Sequence, residues 1–367
     1  MLVGAAWVAS KCLQLTPHGF HPRGRASWML GYLILSEAIL AGGVPASAND
    51  SVGHLSAGGI TLARSSDIEI RQEELRISLN EIRVRYRFFN KSDKEIDTLV
   101  AFPVPDLPSP SDLELYTIPR PEQDNFLGFE TTVDGQRVDM KVDRRAVALG
   151  VDHTDRLRDL GLPLTPYAKA AEEAIAKLSQ EIRTDLARLG VLREEPLSNT
   201  PDGQMKIQYF PNWTLRSTYY WQQVFPAGKE LAVEHRYIPS VGASVGTIIG
   251  LPDAGQEMLV EYGKRYCVDE GFLSAASHAQ KSLQRHEGAT LMERRLAYIL
   301  STGANWAGPI KDFRLIVDKG SDRNLVSFCG KNVKKISATE FEMRATDFWP
   351  DGNVEVLVLE PTEQNRE

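Results

Sequence analysis

Three cysteines in 367 residues exclude a disulfide-dense scaffold. No Cys-x-x-Cys pair is present to suggest a zinc ribbon or a thioredoxin-like site. The histidines beyond residue 48 are His54, His153, His235, His278 and His286, and none stands in H-E-x-x-H or another metal spacing. There is no phosphate loop and no dinucleotide fingerprint, so no cofactor is expected and no metal site is assigned. Basic charge is in deficit: the net charge is −7, which argues against nucleic acid as a partner. Long hydrophobic runs are also missing. The best apolar stretch, near residues 28–44, falls short of the ~20 residues that a bilayer span needs.

That stretch has another meaning. Arg23 and Arg25 precede "WMLGYLIL" and "AILAGGV", and "PASA" follows. A basic segment, an apolar segment and Ala46-x-Ala48 form a secretory leader, with cleavage expected after Ala48. Residues 1–48 are more than a leader needs and Glu37 interrupts the apolar part, which fits a start site set too far upstream. The alternative is a retained leader that tethers an assembly factor to a membrane. Cleavage moves the net charge from −7 to −9 and leaves no stable span in the mature chain. The expected location is the bacterial periplasm or the exterior. Cys12 goes with the leader, and Cys267 and Cys329 then read as one disulfide of an exported chain. A catalytic thiol at Cys329 lacks a nearby histidine in "SFCGKN".

Residues 49–155 read as an antiparallel β-sandwich. In "ELRISLNEIRVRYRFFN" the apolar residues alternate with Arg76, Arg83, Arg85 and Arg87, giving a hairpin around Asn80-Glu81 with one wet face. The arginines are expected to pair with acids across the sheet. The strand Ile96–Phe102 runs into "FPVPDLPSP", where proline should take the chain off the sheet. Asp134-Gly135 marks a second hairpin. A helical insertion over 156–200 centres on one long amphipathic helix near 166–189, with Thr165 as its cap and Gly190 past its end. Residues 201–367 form a second β-rich unit, interrupted by a helical zone near 270–301 with Leu291, Leu296, Ile299 and Leu300 on one face. The fold class is mainly β with helical insertions (α+β).

One nucleophile motif is present. Gly242-Ala243-Ser244-Val245-Gly246 fits G-x-S-x-G, which makes Ser244 the candidate for a serine hydrolase. The residues after it, "TIIGLP", do not read as the helix that a nucleophile elbow requires. Asp152, His153 and Asp155 could ligate a cation, but zinc sites need three or four convergent ligands and a polar loop serves equally well. The candidate binding surface is aromatic: Trp213, Tyr219 and Tyr220 in "YFPNWTLRSTYYW", together with Asn305 and Trp306 in "STGANWAGPIKDF". Tyr219 and Tyr220 are adjacent and cannot face the same side of a regular strand.

Several segments carry a resemblance: "EIRVRYRFFNKSDKEIDTLVAFPVPD", "STYYWQQVFPAGKELAVEHRYIPSVGASVGT", "ERRLAYILSTGANWAGPIKDFRLIVDKG" and "SFCG". They resemble an uncharacterised family of exported proteobacterial proteins, a domain of unknown function, over nearly the whole chain after residue 48. The resemblance implies a periplasmic or secreted protein and no activity. A weaker one over residues 80–150, on "FPVP" and "VDGQRV", is to the N-terminal β-domain of inter-alpha-trypsin inhibitor heavy chains and vault proteins. It implies a non-enzymatic sandwich. The expected role is therefore a non-catalytic binding protein whose partner is an envelope protein or a glycan.

Overall fold

The computed structural model describes residues 49–56, 59–110, 115–197, 206–244, 246–251, 255–286 and 288–362. The described residues all belong to one compact unit. The protein is β-rich, with antiparallel sheets and short helices.

The hairpin of Ile68–Ile77 and Ile82–Asn90 forms as its alternation dictates. Ile82, Val84, Tyr86 and Phe88 are buried. On the opposite face Arg85 pairs with Glu74 and Glu234, and Arg83 pairs with Glu81. Such half-exposed pairs contribute ~0–1 kcal/mol each, so burial of the apolar face carries the hairpin. It lies at the middle of an eight-stranded sheet. Glu230–Tyr237 pairs on one side. On the other side Ile310–Asp318 pairs in parallel with Ile68–Ile77. Asp134 and Gly135 both take positive φ between Glu130–Val133 and Gln136–Val138, as a two-residue hairpin turn demands.

A six-stranded sheet faces this one. Its centre is Thr214–Phe225 beside Ile96–Leu107. Aromatic rings bridge the two sheets: Phe88 to Phe225, Phe102 to Phe129, and Phe129 stacked on Tyr219 and Tyr237. A five-stranded sheet packs its Leu291, Leu357 and Leu359 against Gln256–Tyr266 and Glu270–His286, forming a second, smaller core.

Four sequence expectations are corrected. The prolines do not end the strand: Ile96–Leu107 runs through Pro103 and Pro105, paired with Thr218 and its neighbours on one side. The strand on its other side, Ser51–Ser56, pairs only with Leu99–Ala101. Beyond Ala101 no described strand pairs with that edge, which is where a residue without an N–H is tolerated. The long helix is two helices, Lys169–Lys177 and Gln180–Arg188. Leu178 is extended between them, and the Ser179 hydroxyl accepts from the Ile182 N–H as a new cap. Thr165 instead closes a buried turn, its carbonyl accepting from the Ala168 N–H. The helical zone ends at His286. Leu291–Tyr298 is a strand between Val241–Ser244 and Val354–Pro361, so pairing on both sides overrides the helical spacing of its leucines. Finally, strands from before residue 155 and after residue 201 share all three larger sheets, so no unit boundary falls between them.

Candidate functional site

A cavity of about 140 Å³ lies where the proline-bearing strand meets the C-terminal sheet. That is room for a few waters or one ring-sized molecule. Val104, Pro105, Asp106 and Leu107 form one wall. Tyr237, Pro239 and Ser240 form another as the chain leaves the Glu230–Tyr237 strand. Arg265 and Tyr266, at the end of the Gln256–Tyr266 helix, close it with Tyr116 and Arg295.

The polar atoms of this cavity are unusual. The hydroxyls of Tyr237 and Tyr266 are buried and have no hydrogen-bond partner among the described residues. An unmet buried hydroxyl costs ~1–3 kcal/mol, so a water or ligand group is expected to meet each. Burial pushes both phenols well above the ordinary tyrosine range, so they are neutral donors at physiological pH. The two arginines are held from outside the cavity. Arg295 donates to Glu293 at 3.0 Å, and Arg265 pairs with Glu355. Glu293 is itself buried and also accepts from Thr247 at 2.6 Å and Tyr262 at 2.7 Å. Burial and that bond to Glu293 push the Tyr262 phenol up to about 12. Asp106 is raised by burial, with Arg216 at 3.1 Å opposing the shift.

The disulfide Cys267–Cys329 fixes this corner. Cys267 is in the left-handed conformation that terminates the helix, directly after Tyr266. Across the bridge, Ser327 donates its hydroxyl to the Tyr266 carbonyl at 2.9 Å.

A second polar centre is enclosed between the sheets. Asp50 meets His235 Nε2 at 3.0 Å, and His235 Nδ1 meets the Thr131 hydroxyl at 2.7 Å. Acid, imidazole and hydroxyl in series can activate a nucleophile. Here all three are at most 1% exposed and ringed by Tyr86, Phe102, Phe129 and Trp221, so no substrate reaches the hydroxyl. Beside them the Asn49 amide donates to both oxygens of buried Glu73, at 3.1 and 3.3 Å. Tyr86 donates to the Asn49 side-chain oxygen and contacts the Tyr298 hydroxyl at 3.0 Å. Desolvation pushes the Glu73 carboxyl up to about 8 and raises Asp50, with His235 opposing the latter.

The aromatic residues singled out from the sequence do not gather on one surface. Trp213 is buried and donates its indole N–H to the Leu164 carbonyl at 2.8 Å. Tyr219 is buried against Phe129, while Tyr220 is half-buried on the opposite face of the same strand. Asn305 and Trp306 grip the chain's own residues: Asn305 donates to the Ser51 hydroxyl at 3.1 Å, and Trp306 to the Asp50 carbonyl at 2.5 Å. Ser244 ends a strand and donates to the Gly246 carbonyl at 2.6 Å. That is a turn-closing bond, and among the described residues no histidine bonds to it. Sequence reasoning missed Tyr116, Tyr237, Tyr266, Arg265 and Arg295. The available signal was the tyrosine before Cys267, which any disulfide there would immobilise.

The sequence matches a family described as "Domain of unknown function (DUF4424)" over residues 48–357. No curated protein of described function matches it. Among solved structures, a Legionella pneumophila protein whose nutrient-binding role is itself only proposed is 13% identical, with a TM-score of 0.35. The match covers 84% of this chain and 72% of that one. An M1 zinc metallopeptidase from Deinococcus radiodurans is 7% identical with a TM-score of 0.23; the match covers 81% of this chain and 43% of the enzyme. Neither likeness is close enough to carry an argument about this chain.

Proposed function

Since the chain belongs to the DUF4424 family, which brings no assigned activity, we propose its role from the cavity: it is an exported, non-catalytic envelope protein that binds a small ligand there. The ligand class is a compact molecule carrying an anionic or hydrogen-bond-accepting group beside a short apolar body. The observation that carries this is the pair of unpartnered hydroxyls, Tyr237 and Tyr266. Two neutral donors in an apolar recess favour an acceptor such as a carboxylate or phosphate oxygen. Arg265 and Arg295 also line the cavity, and although each is paired with a carboxylate, Glu355 and Glu293 respectively, a guanidinium carries further N–H groups that can donate to such an acceptor. Export is supported by the leader-like residues before Asn49 and by the Cys267–Cys329 bridge. Among the described residues no helix is long and apolar enough to cross a membrane. Serine hydrolysis at Ser244 is disfavoured by the bond that ties its hydroxyl to Gly246.

Native mass spectrometry of protein taken from the envelope, followed by calorimetric titration with inorganic phosphate and short carboxylic acids, tests the reading. One of these probes should bind, and Tyr237→Phe with Tyr266→Phe should weaken it at least tenfold. Equal binding by that double variant, or no bound molecule and no binding by any probe, overturns it.

A further inference from the structure

Asn49, Asp50 and Ser51 are completely buried. Chain ends fray unless they are tied down, and this segment is tied at every residue. Thr302 donates to the Asn49 carbonyl at 2.6 Å, Trp306 to the Asp50 carbonyl, and Asn305 to the Ser51 hydroxyl. Gly303 allows the approach: a Cβ there would lie 2.8 Å from the Asn49 side-chain nitrogen.

The charge inside this enclosure does not balance. Asp50 and Glu73 are two buried carboxyls, and among the described residues His235 is the one basic side chain that contacts either. His235 lies against Asp50, while Glu73 is met by the neutral Asn49 amide. Among the described residues the centre is also faced by the titratable groups of Tyr86 and Tyr298, which can only add negative charge. An ionised carboxylate buried without a cation is strongly unfavourable. Burial accordingly pushes Glu73 up to about 8 when Asn49 is linked to a preceding residue, with the Asn49 amide opposing the shift and the Asp50 charge adding to it.

One event would supply the missing cation. The leader-like residues predict hydrolysis of the Ala48–Asn49 bond, and the family match begins at residue 48. Water adds across that peptide bond, leaving a carboxylate on Ala48 and an α-ammonium on Asn49. We infer that this new α-ammonium is the buried counter-ion of Glu73, so that removal of the leader completes the core of the sandwich. The processed terminus is then an internal structural element, clamped by the 302–306 turn.

The inference rests on cleavage after Ala48, but its test does not. Three forms are compared: a chain beginning at Asn49, the same chain Nα-acetylated, and the same chain preceded by Ala46-Ser47-Ala48. At pH 7.5 the free-amine form should melt at least 5 °C above the other two. The gap should narrow as pH falls from 8 to about 4.5, where the acetylated and extended forms gain a protonated, neutral Glu73, and it should be absent in Glu73→Gln at all pH values. The α-amine of the free form, followed by NMR, should titrate above the ordinary value near 8. Equal melting of the three forms at pH 7.5, or a gap that survives Glu73→Gln, overturns the inference. Should Glu73→Gln fail to fold, the pH dependence of the acetylated and free forms decides alone. The mass of the exported protein separately reports where cleavage occurs.

Discussion

Breaking the Cys267–Cys329 bridge should loosen the molecule by a calculable amount. The bridge joins residues 62 apart. In the chain-entropy model, closing a loop of that length removes about 14 cal/mol/K from the unfolded chain, or about 4 kcal/mol at 25 °C. For the 319 residues from Asn49 to Glu367, an unfolding entropy of about 2.1 cal/mol/K per residue gives roughly 0.67 kcal/mol per degree. The double variant Cys267→Ser, Cys329→Ser should therefore melt about 6 °C below the parent. It should still fold, because Ile249, Tyr266, Leu283, Leu291 and Leu357 form an apolar cluster at the same corner without the bridge. Scanning calorimetry with and without reductant is the assay. Reductant should bring the parent down to the variant's melting temperature and leave the variant unmoved. A parent indifferent to reductant, with a variant within 1 °C of it, would refute the reasoning. A local consequence is also expected: ligand affinity should fall in the variant, because Tyr266 loses the constraint immediately after it.

Other outcomes are equally specific. His235→Phe strands the buried Asp50 carboxyl and should cost about 3–5 kcal/mol in urea denaturation, whereas Asp50→Asn with His235 intact should cost clearly less. Gly250→Ala should cost at least about 2 kcal/mol in the same assay, because residue 250 has a φ of +83° and a Cβ there would lie 2.6 Å from the Ser277 backbone nitrogen. Tyr237→Phe removes a hydroxyl with no partner among the described residues, so it should leave the melting temperature unchanged or raise it while weakening ligand binding. In a chain that keeps residues before Asn49, Glu73 has a folded pKa of about 8 against 4.5 unfolded. Its stabilising protonation is then fully present below pH 4.5 and is lost as pH rises to 8, by at most roughly 5 kcal/mol. Urea midpoints at pH 5, 6.5 and 8 should fall accordingly, and Glu73→Gln should flatten the trend.

What could be read from the sequence is what local chemistry decides. The alternation over Leu75–Phe88 specifies a strand pair with one wet face, and Asp134-Gly135 specifies the turn of a second hairpin; both forms are observed. The prolines at 103 and 105 misled because tolerance of proline depends on whether the neighbouring strand reaches that far, and Ser51–Ser56 does not. Leu291–Tyr298 misled because its leucines fit a helix until two partner strands claim it. The polar centre was illegible for another reason. Asn49, Glu73, Tyr86, His235 and Tyr298 are scattered over 250 residues and meet only through the topology. Asn305 and Trp306 do form a gripping turn, but what they hold is the chain itself.

The parallel pairing at the centre of the eight-stranded sheet bears on how the protein is made. Arg314 reaches Glu74 across a sequence separation of 240, and the strands carrying them lie side by side. At about 5–20 residues per second a ribosome needs roughly 12–48 s to supply the second strand after the first. Throughout that interval Ile68–Ile77 has one flank with nothing to bond to, an invitation to wrong partners. High contact order delays closure further. Newly made chains of this protein should therefore depend on a holding chaperone until residue 318 has emerged.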